Sequence, residues 1–358
     1  MSSPSSPSSP SSPSSPSSPS TGPVLGGYRV LGRIARGSTA DVLLAEPRLD
    51  SDDTPAALVL GLVSAGRRVV LKRLYAHLAA DEDFVRMFVD EVQLMSRFKH
   101  PHILEVYDLD EDGESYFAVL ELVDGPSLSA ALRLRARAGD VRGLGFNTDV
   151  AVAVGVAVAS ALEAVHGLAD AISGAPLGLV HRDVNPHNIL VGRDGAVKLA
   201  DFGVAHSVVG RSSGLLVTRE TTGGTRKGKA SYLSPEQILG RHPMHPDDPI
   251  DHRSDLYALG ATLWCLLTGR PPFVADSDVA LFDTVLTSPT PRLSDVGITD
   301  PALESLLTAL LHKDARARVA SATEVIVVLT DWLQARNVDA TSTIANTIVA
   351  MGLPSLLD

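Results

Sequence analysis

The sequence predicts an α+β fold of two lobes, in which a small β-rich N-terminal part precedes a larger helical part. Short strand-like runs follow one another from Tyr28 to about residue 120, with one amphipathic helix among them. After the turn-forming triplet Asp124-Gly125-Pro126 the pattern becomes mostly helical. The chain has 358 residues, of which 44% are hydrophobic, and this is enough to bury a substantial core.

The predicted organisation places a folded domain between two tails. Residues 2–19 are six copies of Ser-Ser-Pro, which have nothing to bury and are expected to be extended and disordered. A spacer and a cluster of Ser-Pro phosphorylation sites are the two interpretations of this repeat. The predicted boundaries are 1–22 for the repeat tail, 23–335 for the domain, with lobes at about 23–121 and about 125–335, and 336–358 for a short C-terminal tail.

Composition argues against several classes of partner. The chain carries 31 Lys and Arg against 42 Asp and Glu, a net charge of −11, and without a basic stripe this argues against nucleic acid and anionic membranes. The longest apolar run begins at Val150 and has about 16 residues, so we expect a buried helix and no membrane insertion. Cys265 is the single cysteine, which excludes an intramolecular disulfide and, with no visible signal peptide, fits a cytoplasmic protein.

The first lobe is predicted as a sheet with one helix. The runs YRVLGRI, DVLLAE, RRVVLKRL, ILEVYDL and YFAVLEL are typical of strands. Residues 47–66 make an unusually long connection, which we predict to be an extended hairpin, with a docking surface as the alternative. Residues 81–98 are predicted to form an amphipathic helix, because apolar residues recur at steps of three and four. These residues are Phe84, Phe88, Val92 and Met95.

Three features of the first lobe suit phosphate binding, although each is weak alone. The loop ARGSTADV places Gly37 among small residues, which lets backbone N–H groups approach phosphate oxygens, but an ordinary hairpin turn has the same composition. Lys72 lies within the apolar strand VVLKRL, where a lysine usually extends to solvent. Glu91 lies on the following helix, where a solvated face is the default. Together, Lys72 and Glu91 suggest an ion pair with the lysine reaching phosphates.

The second lobe carries a more specific pattern. The segment HRDVNPHNIL places Asn188 five positions after Asp183, and VKLADFG then supplies Asp201. Two carboxylates and one amide make an oxygen-ligand set suited to Mg²⁺, which prefers hard oxygen donors and substrate phosphates. Two separate turn-forming clusters would explain these residue types, but they would not explain the spacing.

With these motifs the chain resembles the eukaryotic-like (Hanks-type) serine/threonine protein kinases of bacteria, from about Tyr28 to Trp332. The loop glycine, strand lysine, helix glutamate, HRD loop and DFG match that family in order. SPE at 234–236 stands where the family has APE, and 253–273 resembles its central buried helix. The resemblance implies a bilobal protein-kinase-like fold with the nucleotide in the cleft between the lobes.

The resemblance also implies a role for each matching residue. Lys72 would bind the α- and β-phosphates of ATP and be held by Glu91, while Asp183 would accept or orient the proton of the substrate hydroxyl. Asn188 and Asp201 would hold Mg²⁺, or Mn²⁺ in its place. The other positions implied around the nucleotide are Ala35, Gly37, Ala40, Val42, Glu121 and Val123, with Leu120 behind the adenine. The implied structural residues are Asp255, Glu236 and Arg318, and Glu236 would pair with Arg318.

Four positions depart from the family. Ala35 and Ala40 replace the first and third glycines of the loop, and alanine resists a positive φ. Asn185 replaces the lysine expected two residues after the aspartate, whereas Lys229, in KGKASYLSPE, replaces a threonine. We interpret the second pair as a swap, in which Lys229 supplies the catalytic cation that Asn185 lacks. A surface lysine with no catalytic part is the alternative.

A regulatory phosphate is also implied. In the family, the arginine before the catalytic aspartate, here Arg182, binds a phosphate on the activation loop. A polar flexible loop without this role is the alternative. The candidate acceptors are Thr218, Thr221, Thr222 and Thr225.

The leading hypothesis is therefore an ATP-dependent protein kinase that phosphorylates Ser/Thr hydroxyls of protein substrates, including its own. Its principal alternative, a pseudokinase that holds a nucleotide or a partner without transfer, is favoured by Ala35 and Asn185. A small-molecule phosphotransferase is a third hypothesis, against which the SPE segment argues. The sequence predicts no particular oligomeric state.

Overall fold

The computed structural model describes residues 22–48, 55–64, 66–113, 115–137, 145–170, 172–202 and 226–357. Within these residues the chain forms an antiparallel sheet with one long helix, followed by a helical lobe, and this confirms the predicted bilobal α+β fold. The Ser-Ser-Pro repeat and the four candidate threonines, Thr218, Thr221, Thr222 and Thr225, lie outside the described residues.

The N-lobe is built on a six-stranded antiparallel sheet with the strand order β1-β2-β3-β4-β6-β5. Lys72 lies on β4 between two partner strands, opposite Val42 of β3 and Ala118 of β6, so its backbone is fixed from both sides. All five predicted strands are present, and the two-residue β1 is added to them. The strands are β1 (Val24–Leu25), β2 (Tyr28–Arg36), β3 (Ala40–Pro47), β4 (Val69–Leu74), β5 (Val106–Asp112) and β6 (Ser115–Leu120).

The described part of the connection between β3 and β4 is not the extended hairpin that we predicted. It contains a short helix, α1 (Ala56–Val59), so that prediction is wrong there. Ala57 and Val63 are buried with Tyr28 and Tyr107 of the sheet. The apolar half of the connection covers these sheet residues, and a hairpin projecting into solvent would leave them exposed.

The predicted amphipathic helix packs against the sheet. After the short α2 (Ala76–Ala79), helix α3 runs over Glu82–Met95 and begins at Asp81, whose side chain accepts a hydrogen bond from a backbone N–H of the first turn. Phe88, Val92 and Met95 are buried in one cluster with residues of β4 and β6, whereas Phe84 is half-buried. This packing fixes the rotation of α3 and therefore the direction in which Glu91 points.

The C-lobe packs its helices around α5 and α8. Among the described helices, α5 alone is long and apolar enough to span a membrane, and 67% of its most apolar window is buried inside the fold. A short hairpin of β7 (Ile189–Val191) and β8 (Val197–Leu199) lies between Asn188 and Asp201 and brings these two residues to the same end. The helices are α4 (Leu128–Arg137), α5 (Thr148–His166), α6 (Arg226–Lys229), α7 (Pro235–Leu239), α8 (Arg253–Thr268), α9 (Asp278–Thr287), α10 (Pro301–Leu310), α11 (Ala322–Gln334) and α12 (Ala340–Ala350).

The single cysteine lies on the central helix. Cys265 of α8 is buried, and its Sγ accepts a hydrogen bond from the Tyr232 hydroxyl at 3.2 Å. Burial raises the pKa of this thiol to about 11. A thiol with such a pKa stays protonated near neutral pH and is a poor nucleophile, which indicates a structural role.

The segment predicted as a short C-terminal tail is part of the packed domain. Its helix α12 lies against α5, and Ile344 and Ile348 are buried in the main hydrophobic cluster. This helix therefore packs against its own chain.

The predicted pair Glu236–Arg318 is present and fully buried. Two Arg318 nitrogens donate to the two Glu236 oxygens at 2.6 and 2.7 Å, and neither side chain is exposed. Arg318 also donates to the backbone carbonyls of His312 and Arg253. The ion pair thus joins α7 to the start of α8 and to the loop before α11.

We expect Arg318→Ala to lower the free energy of unfolding by about 3–5 kcal/mol, because it leaves the Glu236 carboxylate buried without its partner. Arg316→Ala is the matched control, since Arg316 pairs bidentately with Asp248 at the surface, where such pairs contribute about 0–1 kcal/mol. Urea denaturation measures both. Equal effects of the two variants would contradict the structural role of the buried pair.

Candidate active site

The predicted ion pair between the strand lysine and the helix glutamate is present. Lys72 Nζ donates to Glu91 Oε1 at 2.9 Å and to Asp201 Oδ1 at 2.8 Å. Glu91 lies on α3 of the N-lobe, whereas Asp201 follows β8 of the C-lobe. One ammonium group therefore joins the two lobes at the base of the cleft.

Lys72 and Asp201 stabilise each other's charge, whereas burial and the nearby Asp201 carboxylate raise the pKa of Glu91 against the opposing effect of Lys72. Burial alone would lower the pKa of Lys72, but the carboxylates of Asp201 and Glu91 outweigh burial and raise it. Lys72 in turn holds the pKa of Asp201 below its usual value, with a smaller contribution from Lys229. The lysine is therefore cationic and Asp201 ionised near neutral pH, which suits contacts with phosphate and with a metal ion.

Asp183 is surrounded by three hydrogen-bond donors. Its Oδ1 accepts from Asn185 Nδ2 at 2.6 Å. Its Oδ2 accepts from Asn188 Nδ2 and from Lys229 Nζ, both at 2.8 Å. Lys229 Nζ also lies 3.4 Å from Asn188 Oδ1. The two members of the substitution noted in the sequence, Asn185 and Lys229, therefore meet at one carboxylate.

The local environment explains why a neutral residue occupies position 185. Asn185 is buried, and its amide nitrogen donates to both the side chain and the backbone carbonyl of Asp183. Its amide oxygen accepts from the backbone N–H of His187 at 2.9 Å. Asn185 thus braces the loop, and the cation beside Asp183 comes from α6.

The backbone at Arg182 is held in an unfavourable conformation by the central helix. Arg182 has φ = 68°, a region that non-glycine residues rarely adopt. The Asp255 carboxylate accepts from the backbone N–H groups of His181 and Arg182, both at 2.7 Å, and Gln237 donates to the Arg182 carbonyl at 2.9 Å. These contacts fix the direction in which the loop presents Asp183.

Phe202 anchors Asp201, the predicted metal ligand, from behind. Its ring is buried, stacked on Phe98 at a centroid distance of 5.3 Å, and 4.7 Å from the His181 ring. Asp201, the residue before it, has φ = 55°. Burial of the phenyl ring therefore turns the Asp201 carboxylate outward toward Lys72.

The two alanines of the loop between β2 and β3 cause no backbone strain. Ala35 and Ala40 lie within the ends of these strands, and neither has a positive φ. The turn between them is closed by a hydrogen bond from Gly37 N–H to the Ala40 carbonyl at 2.9 Å. Tyr75 donates its hydroxyl to the Gly37 carbonyl, also at 2.9 Å. The loop therefore forms without the missing glycines.

Residues 121–125 connect the two lobes, and we call them the hinge. Glu121 anchors this segment. Its carboxylate accepts from the backbone N–H of Glu105 at 2.9 Å and pairs with Lys198 of β8 at 2.7 Å. Val123 follows two residues later and is buried in the main hydrophobic cluster, as is Leu120. The structure thus places the predicted adenine-facing stretch at the junction of the sheet and the C-lobe.

The donor atoms in the cleft fit a magnesium ion shared with phosphates. Asn188 and Asp201 offer an amide oxygen and a carboxylate from neighbouring ends of the β7–β8 hairpin. In the part of the chain that the structure describes, no group of three or more His, Cys, Asp or Glu residues converges into a complete metal cage. Mg²⁺ commonly binds through one or two carboxylates plus substrate phosphates, and the residues present match that requirement.

Several residues of the site were not found from the sequence. Tyr75 holds the loop glycine, Gln237 holds the Arg182 carbonyl, and Lys198 holds Glu121. Each lies far along the chain from its partner, and polar pairs of this kind leave no periodic signal. The local pattern SPEQ, in which Ser234 and Gln237 form a capping box, could have drawn attention to Gln237.

Comparison with known proteins gives the same fold and family. The profile of the protein kinase domain matches residues 57–330, and the chain belongs to this family. The sheet begins before the matched range, since β1 to β3 pair with β4. The crystal structure of the Mycobacterium tuberculosis PknI kinase domain is similar to this fold, with a TM-score of 0.58 and a sequence identity of 26%. The similarity covers 88% of this chain and 99% of that chain.

The curated relatives are bacterial protein kinases. The chain is 34% identical to the serine/threonine-protein kinase PknL of Mycobacterium bovis over 298 residues, 82% of this chain and 63% of that protein. It is 32% identical to the tyrosine-protein kinase MasK of Myxococcus xanthus over 261 residues, 73% of this chain and 36% of that protein. The chain thus spans between about a third and two thirds of the length of these relatives.

We expect Lys72→Met to reduce phosphoryl transfer by at least ~10²-fold, because it removes a cation preorganised for phosphate. Circular dichroism should show a folded protein. Lys99→Met is the matched control, since Lys99 is an exposed residue after α3, and its transfer rate should equal that of the parent. Near-normal activity of Lys72→Met would show that the nucleotide is held by other groups.

Proposed function

We propose that this protein is an ATP-dependent serine/threonine protein kinase that uses Mg²⁺. The observation that carries the proposal is the meeting of two charged clusters in one cleft: Lys72 with Glu91 and Asp201, and Asp183 with Asn188 and Lys229. A pseudokinase would not require both clusters to be complete. Loss of the loop glycines, which had favoured that alternative, has no structural cost at Ala35 or Ala40.

The chain's own residues suit the separate tasks of the reaction. Lys72 is positioned by Glu91 to neutralise phosphate oxygens, and Asn188 and Asp201 would hold the metal ion, which screens phosphate charge when it is bound. Asp183 has a carboxylate fixed by three donors, so it can orient an incoming hydroxyl with little reorganisation. Protein substrates with Ser/Thr acceptors are the substrate class that this proposal names.

We also propose that Lys229 is the catalytic cation that other members of the family carry on the catalytic loop. Its ammonium is 2.8 Å from Asp183 Oδ2, and its side chain is 36% exposed, so it lies at the open side of the carboxylate. The cation reaches Asp183 from α6, which begins directly after residues 203–225.

We expect Lys229→Thr to lower kcat by ~10²–10³-fold, the effect of removing one preorganised charge-stabilising group, with little change in the KM for ATP. The double variant Asn185→Lys with Lys229→Thr restores the usual family arrangement and should recover much of the rate, so the two changes should not be additive. Lys99→Thr serves as a control, since Lys99 is an exposed residue after α3. If Lys229→Thr retains the parental kcat, the swap is refuted.

The activity itself is tested by incubating the purified protein with Mg²⁺ and radiolabelled ATP, alone and with a basic protein substrate. We expect label on both proteins, and acid hydrolysis should release phosphoserine or phosphothreonine. Phosphotyrosine alone would instead assign the acceptor class named for MasK. Absence of transfer under all conditions, together with retained nucleotide binding, would support the pseudokinase.

Regulation by Arg182 and a phosphothreonine, a role in signalling and a cytoplasmic location extend the same proposal. Arg182 is supported by its fixed backbone beside Asp183. The location rests on the single cysteine, which fits a reducing compartment. The domain boundaries 23–335 stay a prediction, and the packing of α12 on α5 favours a domain that extends to at least residue 350.

A further inference from the structure

The segment after α12 turns back and binds the hinge. We call residues 351–357 the hinge clamp. Ser355 donates its hydroxyl to Asp124 Oδ2 at 2.7 Å, and the Leu356 backbone N–H donates to Asp124 Oδ1 at 2.7 Å. Both oxygens of the Asp124 carboxylate therefore accept hydrogen bonds from two successive residues of the clamp.

The hinge clamp also contacts each lobe. Arg68, directly before β4 in the N-lobe, donates to the Leu356 carbonyl at 2.6 Å. Arg193, in the turn between β7 and β8 of the C-lobe, donates to the Leu353 carbonyl at 2.7 Å and lies 3.8 Å from Asp124. A single seven-residue segment thus bridges the N-lobe, the hinge and the C-lobe.

The clamp has a fixed starting point. Helix α12 packs on α5 with Ile348 buried, and its first turn lies against the β7–β8 turn. A Cβ placed on Gly195, which has φ = 86°, would meet the Thr341 carbonyl at 2.3 Å, so no side chain fits there. The clamp therefore leaves a rigid helix, and its contacts with Asp124 cost little chain entropy.

The hinge is held at its other end by a second carboxylate. Glu121 binds Lys198 of the C-lobe and the backbone of Glu105, as described above. Behind Asp124, Gly125 packs so closely on β7 that a Cβ would lie 2.0 Å from the Val191 carbonyl. Glu121 and Asp124 thus bracket Leu122 and Val123, the stretch expected to face the adenine.

We propose that Asp124 is a positioning residue for the nucleotide, and that the hinge clamp acts through it to hold the lobes at the separation that binds adenine. This inference rests on the proposed function only in taking the cleft as the nucleotide site. Without the clamp, β4 loses its link through Arg68 to the hinge, and the cleft must be ordered when the nucleotide binds. Ordering upon binding weakens affinity, whereas a pre-ordered site does not incur that cost.

The test measures binding of Mg²⁺-ADP to the full chain by isothermal titration calorimetry. We expect Ser355→Ala and Asp124→Asn each to raise the Kd three- to tenfold, and to raise the KM for ATP similarly with kcat changed less than twofold. Ser355→Thr keeps the hydroxyl and should restore the parental Kd. Ser294→Ala is the matched control, because Ser294 donates to Glu304 at 3.3 Å away from the hinge.

Hydrogen exchange of the amides of residues 121–125 provides a readout that does not depend on activity. We expect faster exchange there in Ser355→Ala and in a chain ending at residue 350, without faster exchange in α8. Unchanged Kd and exchange in Ser355→Ala and Asp124→Asn would overturn the proposal. Equal weakening by Ser355→Ala, Ser355→Thr and Ser294→Ala would also overturn it, since general destabilisation would then be the cause.

The two proposals fail in different ways. If the parent binds Mg²⁺-ADP and the variants weaken that binding, but no variant or parent transfers phosphate, the clamp stands and the kinase activity does not. If the parent transfers phosphate and the variants bind nucleotide as the parent does, the activity stands and the clamp does not.

Discussion

The arrangement of the site depends on one buried carboxylate. Asp255, near the start of the central helix α8, accepts two backbone hydrogen bonds from the HRD loop and a third contact from His166 at 2.9 Å. Burial alone would raise the pKa of Asp255, but the His166 hydrogen bond and the backbone donors hold it below its usual value. The carboxylate therefore stays charged, and it can stabilise a left-handed residue at Arg182 whose conformation would otherwise be unfavourable.

Both acidic residues proposed for the reaction are presented through such backbone positions. Asp183 follows the left-handed Arg182, and Asp201 is itself left-handed. Asp183 is held from the core of the C-lobe. Asp201 is held by Lys72, and both Lys72 and its partner Glu91 belong to the N-lobe. The geometry between the two carboxylates is therefore a property of the interface between the lobes. This explains why contacts far from the cleft, such as those behind the hinge, bear on the site.

Most of the site could be predicted from the sequence because its residues occur in short segments of fixed spacing. HRD with Asn188, DFG, and SPE with Arg318 each fix local geometry, and even Lys229 was visible, because one position lost the charge that another gained. Other features left no such signal. The apolar residues of the β3–β4 connection suit a strand and a helical turn equally well in so short a run, and burial on the sheet selects the helix. Asp124, Lys198 and Tyr75 act through partners distant in sequence, so only the folded chain reveals their contacts.

The burial of Cys265 has a practical consequence for spectroscopy. The thiol of Cys265 is buried and accepts a hydrogen bond from Tyr232. It therefore does not compete with a cysteine introduced on the surface for maleimide or nitroxide reagents under native conditions. A fluorophore pair placed on the two lobes could thus be attached without first replacing the natural cysteine. The native core packing would remain intact while distances across the cleft were recorded in solution.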